Sequence, residues 1–435
     1  MNASTQVETA LAELAALHPK RIDLGLERIE RVLKALGNPQ HKLPPTLHVA
    51  GTNGKGSTIA YVRAIAQAQG LSCHVYTSPH LVRFNERIII ASEQISDEAL
   101  VDVLRRVRDA NDGAPLSFFE ATTAAMLLAF SESHADLCII EVGLGGRYDA
   151  TNVIMPALSA ITPIDYDHAE FLGTDLAGVA REKAGIFKRH TPAIIGAQRQ
   201  LVNAVLDAEA NKLNIRPAVF HESFRAYEQH GRLVYEDETA LLDLPLPALP
   251  GHHQIQNAGL AIACARHFKF SDKAIAKGLQ TVTWPARLQN LTGQNHKGAL
   301  ADMVRGAGGE LWLDGGHNPH AARAVAAKMA DLEARGARPL ILITGMLANK
   351  DIAGYFQAFE GLANTVIGVE IPDHKSFTAD DIASRAKDHG FSGQAASNLI
   401  DAVQRAINTG VDENEPSPRI LICGSLYLAG EVLKL

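Results

Sequence analysis

Thr46-Leu-His-Val-Ala-Gly-Thr-Asn-Gly-Lys-Gly-Ser-Thr58 runs from an apolar segment through a glycine-rich turn into a stretch of helix formers. Leu47, Val49 and Ala50 suit a buried strand, Gly51 and Gly54 permit a tight turn, and Lys55 to Gln69 holds few helix breakers. Strand, glycine turn and helix start in that order make a phosphate cradle. Backbone N–H groups and the helix N-terminus face the anion, Lys55 supplies a point charge, and Ser57 or Thr58 offers a metal-binding hydroxyl. The spacing departs from the common P-loop, in which Ser/Thr directly follows the lysine. Here Val49 stands where the first glycine belongs, and Gly56 separates Lys55 from Ser57. The plainer reading is a glycine-rich connection with a solvent-facing lysine.

The 435 residues, 46% of them hydrophobic, predict two or three domains at ~150 residues each and a globular enzyme with ample core. A net charge of −7 offers no basic field for nucleic acid, so an anionic ligand must be met by local basic residues. Met1 to Leu24 lacks a basic segment followed by an apolar core, and no run approaches the ~18 apolar residues of a membrane helix. A cytoplasmic protein without membrane contact is expected. Cys73, Cys138, Cys264 and Cys423 are far apart and form no CxxC pair, which predicts buried reduced thiols.

Strand-like runs at Leu71 to Tyr76, Asp136 to Val142, Ala157 to Pro163 and Thr191 to Ala197 alternate with helical patterns. That alternation predicts an α/β fold with mainly parallel sheets. Leu241 to Pro250 marks a change of composition, and helical runs follow at Gln254 to Phe268 and Asp272 to Leu279. Thr292 to Gly309 reads as loop or hairpin. A second α/β pattern then begins, with strands expected at Glu310 to Leu313, Pro339 to Gly345, Asn364 to Ile371 and Arg419 to Ser425, and a helix at Ala395 to Ile407. The expected junction lies near Pro285, giving an N-terminal P-loop ATPase-type domain (1–285) and a smaller C-terminal Rossmann-like domain (286–435).

Other segments carry residue types that phosphoryl chemistry uses. Asp136-Leu-Cys-Ile-Ile-Glu141 is an apolar strand ending in an acid, an arrangement that can hold Mg²⁺ beside a P-loop. Taken alone, Glu141 could equally pair locally. Val142-Gly-Leu-Gly-Gly-Arg-Tyr-Asp-Ala-Thr-Asn152 forms a glycine-rich turn after that strand. Ile161 to His168 delivers Asp165, Asp167 and His168 from another strand end, His168 being a candidate metal ligand. Arg181 to Phe187 reads by itself as a solvated helix face. In Leu311-Trp-Leu-Asp-Gly-Gly-His-Asn-Pro319, Asn318 and Pro319 suit a helix start, while Asp314 and His317 belong to the carboxyl edge of a sheet, where open α/β sheets bind ligands.

Ten segments in order resemble the folylpolyglutamate synthases and bacterial dihydrofolate synthases, relatives of the Mur ligases. They are HVAGTNGKGST (48–58), YTSPHLVRFNERI (76–88), FFEATTAAML (118–127), EVGLGGRYDATN (141–152), DHAEFLG (167–173), EKAGIFK (182–188), PGHHQIQNA (250–258), WPARLQ (284–289), LDGGHNPHA (313–321) and GSLYLAGEV (424–432). The family also places glycine between the lysine and the hydroxyl. Departures are His252 where arginine or glutamate is usual, Ala286 for a common glycine, Gly316 for a common alanine and Asn349 for a frequent aspartate.

The resemblance implies an ATP-dependent ligase that turns a carboxylate into an acyl phosphate, which the amine of L-glutamate attacks. It implies that Gly51, Thr52, Asn53, Gly54, Lys55, Gly56, Ser57 and Thr58 hold ATP, with Asn257, Arg287 and Asp314. It assigns Ser57, Glu141 and His168 to Mg²⁺, and Lys183, as a carbamate (N6-carboxylysine), to a second ion. His317 and Ser425 are implied in glutamate binding. Thr77, Ser78, Pro79, His80, Arg83, Phe118, Phe119, Asp149 and Ala150 are implied in holding dihydropteroate or folate. Lys55, Lys183, Asp314 and His317 are the implied catalytic set, a monomer the family expectation, and closure of a two-domain cleft the expected shield for the acyl phosphate. The GLGGRYDATN and GTNGKGS forms favour the bifunctional enzyme over one that only extends folates. A Mur-type peptide ligase is opposed by the TSPH and FFEAT segments, and a nucleotide switch would need no glutamate site.

Overall fold

The computed structural model describes residues 3–17, 25–293, 296–409 and 416–435. The chain separates into two compact units, one of residues 1–248 with 255–282 and one of 249–254 with 283–435.

The first unit is built on an eight-stranded sheet. In chain order its strands are β1 (Thr46–Ala50), β2 (Cys73–Tyr76), β3 (Ile88–Ile90), β4 (Glu93–Gln94), β5 (Leu137–Glu141), β6 (Leu158–Ile161), β7 (Ala193–Ile195) and β8 (Ala218–Val219). Their spatial order is β4-β3-β2-β5-β1-β6-β7-β8, with β3 alone antiparallel to its neighbours. Every residue of β1, β2, β5 and β6 is buried, as expected of strands covered on both faces. The helices Lys55–Ala68, Asp97–Asn111, Phe118–Ser131 and Leu176–Ala184 lie in the connections between strands, and the last three begin at side-chain caps from Ser96, Ser117 and Asp175. Placing β1 between β5 and β6 brings the turns after all three strands to one carboxyl edge.

Two features of this unit were not legible in the chain. A three-stranded antiparallel sheet, β9 (Phe224–Gln229), β10 (Arg232–Asp237) and β11 (Ala240–Leu244), occupies a region given no expectation from sequence, its last strand running into the compositional change that begins at Leu241. Its strands are mostly half exposed, so apolar runs do not announce them. Two helices, Ala3–Ala15 and Glu27–Ala35, precede the first strand and pack into the core formed with Leu104, Val107 and Phe130.

The second unit carries β12 (Gln289–Asn290), β13 (Glu310–Leu313), β14 (Leu340–Thr344), β15 (Thr365–Gly368), β16 (Ser392–Ala395) and β17 (Arg419–Cys423) in the order β12-β13-β17-β14-β15-β16. All are parallel except β12. Two local expectations change here. Ala299–Gly306 is a helix where a loop or hairpin was expected, because Leu300, Ala301 and Val304 bury one face. Ser392–Ala395 is an edge strand, so the helix expected from Ala395 starts at Leu399. Among the described residues no helix is long and apolar enough to cross a membrane, and all four cysteines are free and buried.

Buried histidines give the fold an acid sensitivity. His48 in β1 is fully buried, and desolvation, aided by the Lys188 charge, lowers its pKa to about 3. The unfolded chain takes up this proton near pH 6.5, so the stability due to neutral His48 is full above that pH and is lost as pH falls toward 3. A His48→Gln variant is therefore expected to show a shallower fall of unfolding free energy between pH 6 and 4, by up to about 1.4 kcal/mol per pH unit, in urea titrations at each pH.

Candidate functional site

The turn after β1 is held by close backbone contact. Gly51 has φ +147°, and a Cβ there would lie 1.9 Å from Thr162 Oγ1, so only glycine fits. Gly54 has φ +88° and lies against the Asn257 side chain. Thr52 N and Asn53 N donate to Pro163 O at 3.0 and 3.2 Å, and Thr52 Oγ1 donates to Asp165 O at 2.9 Å. The turn is thus strapped to the segment after β6.

Lysines dominate its chemistry. Lys55 Nζ donates to Gly51 O at 3.2 Å and Thr52 O at 3.4 Å, and stands 3.8 Å from Glu141 Oε1. Lys183, from the helix Leu176–Ala184, donates to the same Gly51 carbonyl at 3.0 Å. Burial first, and then the charge of Lys55, bring the Lys183 pKa down to about 7, against the opposing pull of Asp167 and Asp149. Glu141, at the end of β5, accepts from Ser78 N at 3.1 Å and so ties the Thr77–Leu81 loop to the cradle.

One cleft is lined by Gly51, Thr52, Lys55, Val142 to Gly145, Asp167, His168, Leu172 and Lys183. Of the residues named from sequence, it gathers Gly51, Thr52, Lys55, His168 and Lys183. Asp167 and the Gly143–Gly145 turn, noted in the sequence at strand ends but given no role there, belong to it as well. Ser57 and Thr58 lie in the first turn of the Lys55–Ala68 helix and are buried, with Gly56 beside them. His168 keeps φ +52° and a half-exposed ring whose Nε2 is 3.9 Å from Asp167 Oδ2. Gly146 fixes the wall of the cleft, since a Cβ there would meet Glu182 O at 2.6 Å and Lys183 Cα at 2.9 Å.

The residues implied in holding the larger substrate form a neighbouring group. Arg87 Nε donates to His80 Nδ1 at 2.9 Å and its guanidinium lies over Phe84, which meets Phe118 edge to face. Phe119 fills the space over Gly143, where a Cβ would come within 2.3 Å of its ring. Glu86 accepts from Leu81, Val82 and Arg83 N–H groups and orders the loop after Pro79. Arg83 itself is paired with Asp97 at 2.6 Å. Asp149 is buried, as is Ala150, and its carboxylate accepts from Leu144 N, Thr151 N and Thr151 Oγ1.

The second unit has its own carboxyl-edge cluster, where the turns after β13, β17 and β14 lie side by side. Asp314 is buried and accepts from Leu288 N at 2.8 Å and Gly316 N at 2.7 Å; burial raises its pKa, with Arg287 opposing. Arg287 sits between Ala286 and Leu288, both at positive φ, +54° and +47°. The first is where glycine is common in the family, and the reason is that left-handed backbone. His317 Nδ1 lies 3.3 Å from Gly315 O, Asn318 caps the following helix as expected, and Ser425 caps the last helix by accepting from Tyr427 N.

Comparison with known proteins adds the family. The Mur ligase middle domain matches residues 49–265, and the Mur ligase glutamate ligase domain matches 301–426. A Haemophilus influenzae dihydrofolate synthase/folylpolyglutamate synthase is 32% identical over 99% of this chain and 98% of its own length. Escherichia coli FolC in complex with DHPP and ADP superposes with a TM-score of 0.88 at 29% identity, covering 100% of this chain and 98% of that one. A bifunctional folylpolyglutamate synthase/dihydrofolate synthase with Mn, AMPPNP and L-glutamate bound gives 0.84 at 30% identity over 100% and 98%. With the cradle, the strand-end acid and the two carboxyl-edge clusters already placed, these matches identify the chain as a member of the dihydrofolate synthase/folylpolyglutamate synthase family of Mur-type ligases.

Proposed function

We propose that this chain joins L-glutamate to 7,8-dihydropteroate and to (tetrahydro)folates at the expense of ATP. An acyl phosphate is the intermediate, and the products are dihydrofolate or folylpolyglutamates with ADP and phosphate. The observation that carries this reading is the single cleft in which the Gly51–Lys55 cradle meets the Gly143–Gly145 turn, His168 and Lys183.

The roles follow from the chemistry of each group. Lys55 and the turn amides neutralise phosphate oxygens, and the buried setting strengthens that attraction. Asn257, against Gly54, borders the nucleotide; in the second unit Arg287 and Asp314 are assigned to ATP, and His317 and Ser425 to glutamate. The Thr77–Leu81 loop, Phe118, Phe119 and the Asp149–Ala150 segment orient the pterin and benzoate parts.

The donor set suits Mg²⁺. Ser57 hydroxyl, Glu141 carboxylate and His168 imidazole are hard or borderline ligands. Few protein ligands, with phosphate and water completing the shell, is the habit of Mg²⁺. Bound there, it would spread the negative charge that develops on the transferred phosphoryl group. Lys183, as a carbamate, would serve a second ion. We place the enzyme in the cytoplasm as a monomer.

The primary test is glutamate-dependent ADP release with Mg²⁺-ATP, offering dihydropteroate and a tetrahydrofolate in separate reactions, with products identified by mass. Turnover of both is expected, and Lys55→Ala should lower kcat by at least about 10²-fold. Turnover of the tetrahydrofolate alone would limit the enzyme to polyglutamate extension. Turnover of neither would overturn the reading.

Carbamylation has its own test, because CO₂ reacts with a neutral amine. With a pKa of about 7, the neutral fraction of Lys183 rises from about one tenth at pH 6 to about nine tenths at pH 8. Enzyme held at pH 6 without CO₂ is expected to lose activity and regain it with bicarbonate at pH 8. ¹³C-bicarbonate should label the wild type but not Lys183→Arg. Activity indifferent to bicarbonate, without label, would exclude the carbamate.

A further inference from the structure

His48 has no part in the chemistry above, yet it is a fully buried polar side chain in the strand that carries the phosphate cradle. Its Nε2 lies 2.9 Å from Thr151 Oγ1, and Thr151 Oγ1 lies 2.5 Å from Asp149 Oδ1. Thr151 N adds a second bond to that oxygen at 3.0 Å, and Leu144 N donates to Asp149 Oδ2 at 2.8 Å. A carboxylate with three donors on its two oxygens acts as the acceptor, so the Thr151 hydroxyl gives its proton to Asp149. The hydroxyl lone pair then accepts, and His48 must present Nε2–H. The remaining ring atom agrees: His48 Nδ1 is buried without a hydrogen-bond partner among the described residues, which a lone pair tolerates better than an N–H would.

We infer that His48 is a positioning residue for the pterin-side loop: through Thr151 it fixes the Asp149 carboxylate, and through Asp149 it fixes the Gly143–Ala150 turn. The inference rests on the proposed function for its substrate but not for its geometry. The relay crosses from β1 to the segment after β5, linking the strand that leads into the phosphate turn with the loop implied in holding dihydropteroate. Asp149 acts here through the loop it holds, since its own oxygens are engaged by Leu144 and Thr151. Burial and the nearby Lys188 charge keep His48 neutral through the physiological range, so the donor does not switch with pH.

The test uses the full chain and four variants. His48→Phe keeps a ring but removes the donor, His48→Gln carries an amide N–H near the Nε2 position, Thr151→Val removes the hydroxyl at constant shape, and His48→Phe/Thr151→Val removes both. His48→Phe and Thr151→Val are each expected to raise KM for dihydropteroate at least tenfold, leaving KM for ATP within twofold. His48→Gln should recover most of the loss, and the double variant should be no worse than either single one. Equal rises of KM for ATP and dihydropteroate, additive losses, or a wild-type Thr151→Val would overturn the relay. A second readout needs no turnover. Long-range ¹H–¹⁵N spectra of the wild type should show neutral His48 protonated at Nε2 from pH 8 to pH 5, with its Nε2 resonance displaced in Thr151→Val. An Nδ1–H tautomer, or protonation within that range, would overturn it even if the assay had already refuted the proposed function.

Discussion

Two ammonium groups share one backbone carbonyl: Lys55 and Lys183 both donate to Gly51 O, at 3.2 and 3.0 Å. Keeping Lys183 charged there costs free energy, through burial first and the Lys55 charge second, and its pKa falls to about 7. Asp167 and Asp149 oppose that shift, and Glu141 stands 3.8 Å from Lys55. The turn therefore gathers positive charge in a chain whose net charge is itself −7, through local geometry rather than an overall basic field.

That arrangement depends on backbone approaches that no side chain would permit. Gly51 lies so near Thr162 that its carbonyl can turn toward both lysines, and Gly146 lies so near Lys183 that the helix Leu176–Ala184 delivers its lysine there. Strand order does the rest. With β1 between β5 and β6, the Gly51–Lys55 turn becomes a neighbour of the Gly143–Gly145 turn and the Asp165–His168 segment, although it lies about a hundred residues before them in the chain. The second unit repeats the principle around Asp314, whose carboxylate gathers the N–H groups of Leu288 and Gly316 and so holds the left-handed backbone at Leu288.

Most of the parallel framework was legible because buried strands read as apolar runs bounded by glycine turns: β1, β5, β6, β13 and β14 all lie within the expected ranges. The β9–β11 sheet and the Ala299–Gly306 helix were not, since the strands are five or six residues long and mostly half exposed, and the helix spans only eight residues within a Gly/Asn/His/Lys-rich stretch. The motif residues were likewise legible one by one, whereas Asp167 passed unselected because nothing in the chain distinguishes it from Asp165. In the structure Asp165 is drawn into an ion pair with Arg199, while Asp167 lines the cleft.

The sequence by itself determined the chemistry available, a glycine-rich phosphate turn, a strand-end acid and a lysine in EKAGI, because these depend on residue type and short spacing. Only the tertiary structure decided which groups share a cleft, which carboxylates are already engaged and which lysine has its pKa lowered. Those outcomes depend on burial and on strand order, and neither is local in the chain.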